Sequence, residues 1–537
     1  MNLEFLLSPD QLFRVRLIVP LFKWLCVLAA VAILPTVRAG DAPNSTGVAV
    51  QYHCAGGSRL ADDTRLSAFH KFLTSRSTTN MENIARTRIS CLLTNSLRLG
   101  NNPSSASLIE PLLSDVVATE SAGSFGGASD DAPGFILALH LGAARGQMWQ
   151  ESLGKIFGGG GDTFASQEFI GRRWNAGGSN SIWIIPAGDW LLVGRGEEFA
   201  SVQIQYLKQI KAEGRPVPAL EHNWLEAELV SSRLGGWFRF LQPTRLSISV
   251  TTNQGNLQIG ARILAAEAIP WQADGWQIPK DLMRGQIISF TAGQNVAAFL
   301  KIHPALAHLA GNPLTNQFYF WALDQMPMLD YMAWPEANAS NTFETLSTEA
   351  PVALNPWLKE FNGTEAVKIP KVNALVLRNI RLFGPVLQAV RCVDGQFLCW
   401  AGFPISPTAR PAPDALLSQI QGRTNLVYYD WELTGRRLQE WQVLSKMIAN
   451  RSLPPNSQAS HDVLIENQWL TGLGDLPGNT VTEITRVAPN ELSLTRKAPI
   501  GVTALELVLL ADWACEANSG PIHSAQTSDP AGPLHLQ

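Results

Sequence analysis

Tight turns punctuate this chain and set what it can fold into. Ala187-Gly188, Asn253-Gln254-Gly255-Asn256, Asp394-Gly395 and Ala488-Pro489-Asn490 each fall between two short apolar or alternating runs. Glycine and asparagine supply the positive φ that short hairpin loops require, whereas parallel strands need a crossover of a dozen residues or more. Antiparallel pairing is therefore expected to dominate the sheets.

Helical patterns alternate with these hairpins. Ala144 to Phe157 and Glu197 to Gly214 read as amphipathic helices, the second stopped by its glycine. A strand at Gln286 to Phe290 precedes a helix expected over Asn295 to Leu309, and a helix follows Asn338. Asn425 to Leu433 reads as a strand, and Thr434 opens a helix with the stripe Leu438, Trp441, Leu444 and Ile448. Gly501 to Glu516 is apolar almost all round, the mark of a buried helix. The resulting expectation is an α+β fold of repeated strand–strand–helix units, forming mostly antiparallel sheets with packed helices. Its boundaries fall at 1–39, 40–130, 131–267, 268–420, 421–517 and a polar tail over 518–537, with Ala122 to Pro133 read as a turn-rich joint.

The compartment is read from the N-terminal segment. Arg14, Arg16 and Lys23 precede an apolar run from Trp24 to Leu34; Pro35 breaks it, and small residues lead to Ala39 and Gly40. That order is a secretory signal with cleavage between Ala39 and Gly40, or else a retained N-terminal anchor. Either way the expected location is extracytoplasmic, in the periplasm or cell envelope, and the membrane is met only through this segment. Without residues 1–39 the chain keeps 37 basic and 43 acidic residues, a net of −6. No basic stripe tracks a phosphate backbone, so nucleic acid is not an expected partner. Five cysteines remain, an odd number. A two-residue turn at Asp394-Gly395 would set Cys392 opposite Phe397 and Cys399 opposite Val390. Such diagonal neighbours lie about 7–8 Å apart, too far for a disulfide, so free thiols are expected.

Four phrases are familiar. WLLVGRGEEF (190–199), GQIISFTAG (285–293), NLVYYDWELTGRRL (425–438) and NTVTEITRVAPNELSLTRKAPIGVTALELVLLADW (479–513) resemble an uncharacterised family of exported bacterial proteins. The likeness runs from about His53 to Trp513. It implies export and a bacterial source, and brings no activity or functional residues with it.

Strong catalytic motifs are missing from the sequence. There is no HExxH, GxSxG, GxxxxGK[ST] or strand–GxGxxG–helix unit. Ser152 and Lys155 match SxxK without its companion motifs, and the glycine run Gly158 to Gly161 reads as a helix stop. His303 and His308 fall on different faces of a helix, so no metal and no cofactor are expected. One carboxylate pair has chemistry to offer. Strand alternation places Leu426, Tyr428, Asp430 and Glu432 on one face and Val427, Tyr429, Trp431 and Leu433 on the other, core face. Asp430 and Glu432 would lie about 6.6 Å apart, within the span that glycosidases use, beside Tyr428 as a ligand-facing ring. The plainer reading is a solvated ion-pair rim with Arg436 and Arg437. Glu226 and Glu228, read as helical, would diverge, and Glu483 and Arg486 would sit on opposite faces of their strand. The leading expectation is a non-catalytic envelope scaffold or binding module with an unidentified envelope partner or ligand. The alternatives are an envelope hydrolase using Asp430 and Glu432, or a carrier that rings an apolar ligand with some of its 17 tryptophans.

Overall fold

The computed structural model describes residues 48–96, 103–126, 134–175, 181–230, 243–269, 271, 274–295, 316–324, 329–358, 365–370, 374–378, 386–401, 410–452 and 458–515. Its first strands are β1 (Val48–Cys54), β2 (Ser121–Gly126), β3 (Gly134–His140), β4 (Asp162–Ser166), β5 (Phe169–Asn175), β6 (Ser181–Ala187), β7 (Trp190–Arg195), β8 (Asn223–Leu229), β9 (Pro243–Asn253) and β10 (Asn256–Ala265). The rest are β11 (Ile287–Gln294), β12 (Gln317–Leu323), β13 (Leu329–Pro335), β14 (Glu365–Ile369), β15 (Ala374–Arg378), β16 (Val386–Cys392), β17 (Gly395–Ala401), β18 (Leu426–Leu433), β19 (Asn479–Ala488) and β20 (Glu491–Ala498).

All twenty join one antiparallel sheet in the order β4-β5-β6-β7-β3-β2-β1-β8-β9-β10-β20-β19-β18-β11-β12-β13-β17-β16-β15-β14. The expected α+β arrangement of strand–strand–helix units in several sheets is thereby corrected. A hairpin leaves an edge of unpaired N–H and C=O groups. Here β10 satisfies its edge on β20, which carries the sheet across the boundaries drawn at 267 and 420, and β2 pairs with β3 across the one at 130.

The repeat that does exist is larger. Read outward from the centre, the first half runs β10-β9-β8-β1-β2-β3-β7-β6-β5-β4. The second runs β20-β19-β18-β11-β12-β13-β17-β16-β15-β14, the same path. Even the irregularities coincide. Register shifts at Val48/Val50 in β1 and Asn223/Leu225 in β8 recur at Ile287/Ser289 in β11 and Leu426/Tyr428 in β18. A pseudo-dyad passes between Gly260 and Thr495, which face each other on β10 and β20.

Helices cover the sheet unevenly. In chain order they are α1 (Gly57–Ala61), α2 (Ser67–Thr74), α3 (Arg76–Ser96), α4 (Pro103–Ala118), α5 (Ala143–Phe157), α6 (Ala200–Glu213), α7 (Ala339–Leu358), α8 (Asp414–Leu417), α9 (Thr434–Ser452), α10 (Gln458–Leu473) and α11 (Ala504–Cys515). On one face, Ile89, Leu112, Trp149, Trp469 and Leu507 pack on Leu139, Leu225, Val250 and Leu257, bringing α3, α4, α5, α10 and α11 together. On the other face, the described residues place cover on the two flanks. Tyr206, Leu207 and Ile210 of α6 bury Ile136, Ile185 and Leu192 on the first. Ile278, Met283, Leu417 and Ile420 bury Phe290, Tyr319, Trp321 and Phe397 on the second.

Between those flanks lies a polar strip. Ala138, Ala122, His53, Glu226, Ser249, Gly260, Thr495, Glu483, Tyr429 and Ala292 are successive partners across the strands, so they share one face. Ala138 belongs to the first flank's core, and Tyr429 and Ala292 to the second's. Ser247, Ser249, Thr251, Gln258, Ser493 and Thr495 are partly exposed between them.

Several local expectations change. Ala122 to Gly126 belong to β2, where Ala122 and Ser124 are fully buried, rather than to a joint. Glu226 and Glu228 lie on β8, a strand, and therefore share a face. In the β16–β17 hairpin Cys392 pairs with Gly395 and Cys399 with Gln388, because the turn is Val393-Asp394. Neither forms a disulfide, nor do Cys54, Cys91 and Cys515. Burial and the nearby Asp281 push the Cys392 thiol up to about 11, and burial lifts Cys399 to about 12. Since the thiolate is the nucleophile, iodoacetamide at pH 8 is expected to label exposed Cys91 well before Cys392 and to leave Cys399 for last. Peptide mass spectrometry of a time course checks this; early labelling of Cys399 would contradict its placement. Of the helix expected over Asn295 to Leu309 only Asn295 is among the described residues; His303 and His308, the N-terminal segment through Ala39 and Gly40, and the tail lie outside them. Among the described residues no helix is long and apolar enough to cross a membrane.

Candidate functional site

β18 is central to its half of the sheet, bonded to β11 on one side and β19 on the other. Its register shift at Leu426/Tyr428 moves Leu426 to the core face with Tyr429 and Trp431. Tyr428, Asp430 and Glu432 are left on the opposite face, beneath α9 and α11. Simple alternation had put Leu426 with the acids; a bulge inserts one residue and reverses the parity.

The acids are not a solvated rim. Glu432 is buried, and its Oε1 accepts the backbone N–H of Ala504 at 2.7 Å. Ala504 is the first residue of α11, so Glu432 satisfies one of the unpaired amides that every helix start carries. Asp430 accepts from Thr291 Oγ1 at 2.7 Å. Glu506, in the first turn of α11, accepts the Thr503 N–H at 2.9 Å, while the Glu506 N–H donates to Thr503 Oγ1 at 3.3 Å, a reciprocal capping box. Arg496 on β20 donates Nη1 to both Glu506 oxygens at 2.8 Å and Nε to Thr482 at 2.9 Å.

A second ion pair abuts the first. Arg437 on α9 is buried and donates to Asp330 at 2.8 Å and to Glu440 at 2.9 Å. Its guanidinium lies 5.6 Å from the Phe320 ring and 5.4 Å from Trp441. Arg436 points elsewhere, to Gln439 at 3.4 Å. Burial dominates the titration of the cluster. Glu432 is pushed up to about 7 by burial, reinforced by the charge of Asp430 and opposed by the Ala504 amide. Glu440 is likewise lifted by burial to about 7 against the pull of Arg437. Asp430, Glu506 and Asp330 are raised by burial against their hydrogen bonds and arginines, and burial raises the Tyr428 phenol.

The remaining sequence candidates have structural occupations. Gly158 ends α5 with φ 77°, and the carbonyls of Gly159 and Gly160 accept from Trp174 and Arg172, so the glycine run is a helix stop. Ser152 and Lys155 lie on α5. Glu483 pairs with Arg423 at 2.8 Å, and Arg486 sits over Trp271. Glu226 accepts from Asn223, and Glu228 from Arg245 at 2.8 Å. His53 meets Glu120 at 2.9 Å, and Arg215 meets the same carboxylate at 3.1 Å. Among the described residues no group of three or more His, Cys, Asp or Glu could hold a metal ion.

Two clefts lie at equivalent corners of the two halves. One of about 780 Å³ lies between the start of α5 and the β6–β7 turn; one of about 660 Å³ lies between the end of β13 and the β16–β17 turn. Tyr428, Asp430 and Glu432 line neither. Sequence reading missed Glu506, Arg496, Glu440 and Asp330. The Thr503-x-x-Glu506 spacing was the one available signal, since it is a capping-box pattern.

What the fold and site define is a duplicated antiparallel sheet with a buried acid cluster at the seat of its last helix. The chain matches no family model, no curated protein and no solved structure.

Proposed function

We propose that this chain is an exported, non-catalytic binding or scaffolding module of the cell envelope, and that it meets its partner through the open polar strip of the sheet. The observation that carries this reading is the contrast between the two faces of the central strands. On the helix face the carboxylates are consumed by structure: Glu432 and Glu506 hold the start of α11, and Arg496 and Arg437 bond Glu506, Glu440 and Asp330. On the other face Ser247, Ser249, Thr251, Gln258, Ser493 and Thr495 form a hydroxyl- and amide-rich floor. The pairs Arg245–Glu228, Arg262–Glu491 and Arg423–Glu483 lie along it. A broad surface of mixed charge suits a macromolecular partner better than a small substrate, which needs a concave site.

The alternatives fare less well on the same observations. A value near 7 is one a general acid has, but Glu432 sits under α11 with an oxygen bound to Ala504 and lines neither of the two clefts described above. A carrier would ring a cavity with tryptophans, whereas Trp149, Trp174, Trp183, Trp190, Trp321 and Trp469 are buried within packed clusters.

The test is capture from envelope fractions with the tagged chain as bait, read by mass spectrometry. Wild type is expected to retain a reproducible partner set. A double variant across the pseudo-dyad, Ser249→Arg with Thr495→Arg, is expected to lose it by tenfold or more while keeping its circular dichroism. An unchanged partner set in the double variant would remove the strip from consideration.

A further inference from the structure

The layer of α9 and α11 is seated on the sheet through more acids than bases. Asp330 from β13, Asp430 and Glu432 from β18, Glu440 from α9 and Glu506 from α11 gather around Arg437 and Arg496. Around them stand Ser289 and Thr291 from β11, Phe320 from β12, Tyr428 from β18 and Thr480 and Thr482 from β19. Asp324, at the end of β12, adds a further negative charge that acts on Glu440. Glu466 of α10 is buried next to this layer and has partners of its own.

Charge counting then decides the protonation. Fully ionised, the cluster would set five carboxylates against two guanidinium groups in a space from which water is largely excluded. Burying an uncompensated charge costs several kcal/mol, and a carboxyl group escapes that cost by holding its proton. Unmet hydrogen bonds fit the same conclusion. Glu440 Oε1 and Ser289 Oγ, which lies opposite Glu432 across the β11–β18 ladder, are buried without a hydrogen-bond partner. A proton on Glu440 or Glu432 turns an acceptor-only carboxylate into a donor.

We propose that the seating of α9 and α11 on β18 is a proton-dependent latch, tight while the surplus carboxyl groups are protonated and loosened as they ionise. The sign follows from the raised acids. With Glu432 and Glu440 near 7 in the closed layer and near their ordinary 4.5 when exposed, closure binds protons. Its stability is fully present below about 4.5 and is lost as pH rises through about 7. The latch does not rest on the binding role proposed above, because the strip lies on the opposite face of the sheet.

Hydrogen–deuterium exchange on the full chain, compared at pH 5.5 and 8.5 after correction for the intrinsic exchange rate, tests it. Peptides covering 434–443 and 504–515 are expected to lose protection by about tenfold or more at pH 8.5, while peptides of α5 and α6 do not change. The variant Glu432→Gln with Glu440→Gln is expected to abolish the difference, since an amide keeps the acceptors and cannot ionise. Equal protection of the wild-type peptides at the two pH values would overturn the latch, whatever the variant does. So would a wild-type loss that persists undiminished in the variant. Should the variant fold poorly, the wild-type pair of measurements still decides.

Discussion

Replacing Arg496 by methionine is expected to lower stability by about 3–5 kcal/mol at pH 8, the cost of leaving a buried charge without its partner. Arg496 is the only cation bonded to Glu506 among the described residues, and it holds both carboxylate oxygens at 2.8 Å from within the sheet. Methionine fills much of the volume and supplies no charge. The loss should therefore shrink as pH falls, because Glu506, already raised by burial, then takes up a proton and no longer needs a counter-ion. A paired substitution, Arg496→Met with Glu506→Gln, should recover more than half of the loss, since removing both charges spares the desolvation that removing one exposes. Urea midpoints at pH 5.5 and 8 check this. A loss that is the same at both pH values would mean that packing, not charge, ties β20 to α11.

Trp321→Ala is expected to cost about 3–5 kcal/mol, the range for emptying a large aromatic site in a core. Trp321 is fully buried in the second flank, stacked on Tyr331 with ring centres 5.4 Å apart and planes at 12°. Trp321→Phe is a sharper test. The indole Nε1 is buried with no hydrogen-bond partner, so phenylalanine removes an unsatisfied donor while giving up some volume. Those terms oppose each other, each on the order of 1–3 kcal/mol. Phenylalanine should thus cost less than a third of what alanine does. A phenylalanine variant as damaged as the alanine variant would place an acceptor near the indole.

Local chemistry was legible in the sequence, and long-range pairing was not. Gly158 and Gly214 end α5 and α6 in left-handed conformation, as helix stops should. Gln254 and Gly255 take the positive φ that their hairpin needs. The buried helix Ala504–Cys515 follows from an apolar run with too few polar residues to face water. The merger of two ten-strand halves depends on Gly260 meeting Thr495, residues more than 200 positions apart, and no local pattern encodes such a contact. The bulge in β18 was hidden for a different reason. LVYYDWEL carries no glycine or proline to mark a bulge, and only the pairing with β19 reveals that Val427 is the inserted residue.

The same hidden layer misdirected the reading of the acids. The sequence shows Asp430 and Glu432 as a carboxylate pair on one strand face, but nothing within β18 itself shows what covers that face. α11 begins 72 residues after Glu432 and covers it, with Glu432 spent on the Ala504 amide. Conversely, Ser247, Ser249 and Thr251 looked like ordinary outward residues of one hairpin. Their weight comes from sharing a face with Ser493 and Thr495, which lie on β20 on the far side of β10.

Whether the chain works through that strip or through its acids is decided most directly by comparing two double variants in one capture experiment from envelope fractions. Asp430→Asn with Glu432→Gln is expected to keep the wild-type partner set, and Ser249→Arg with Thr495→Arg to lose it. The reverse outcome, partners lost with the amides and kept with the arginines, would contradict the account and return the buried carboxylates to the centre of the function.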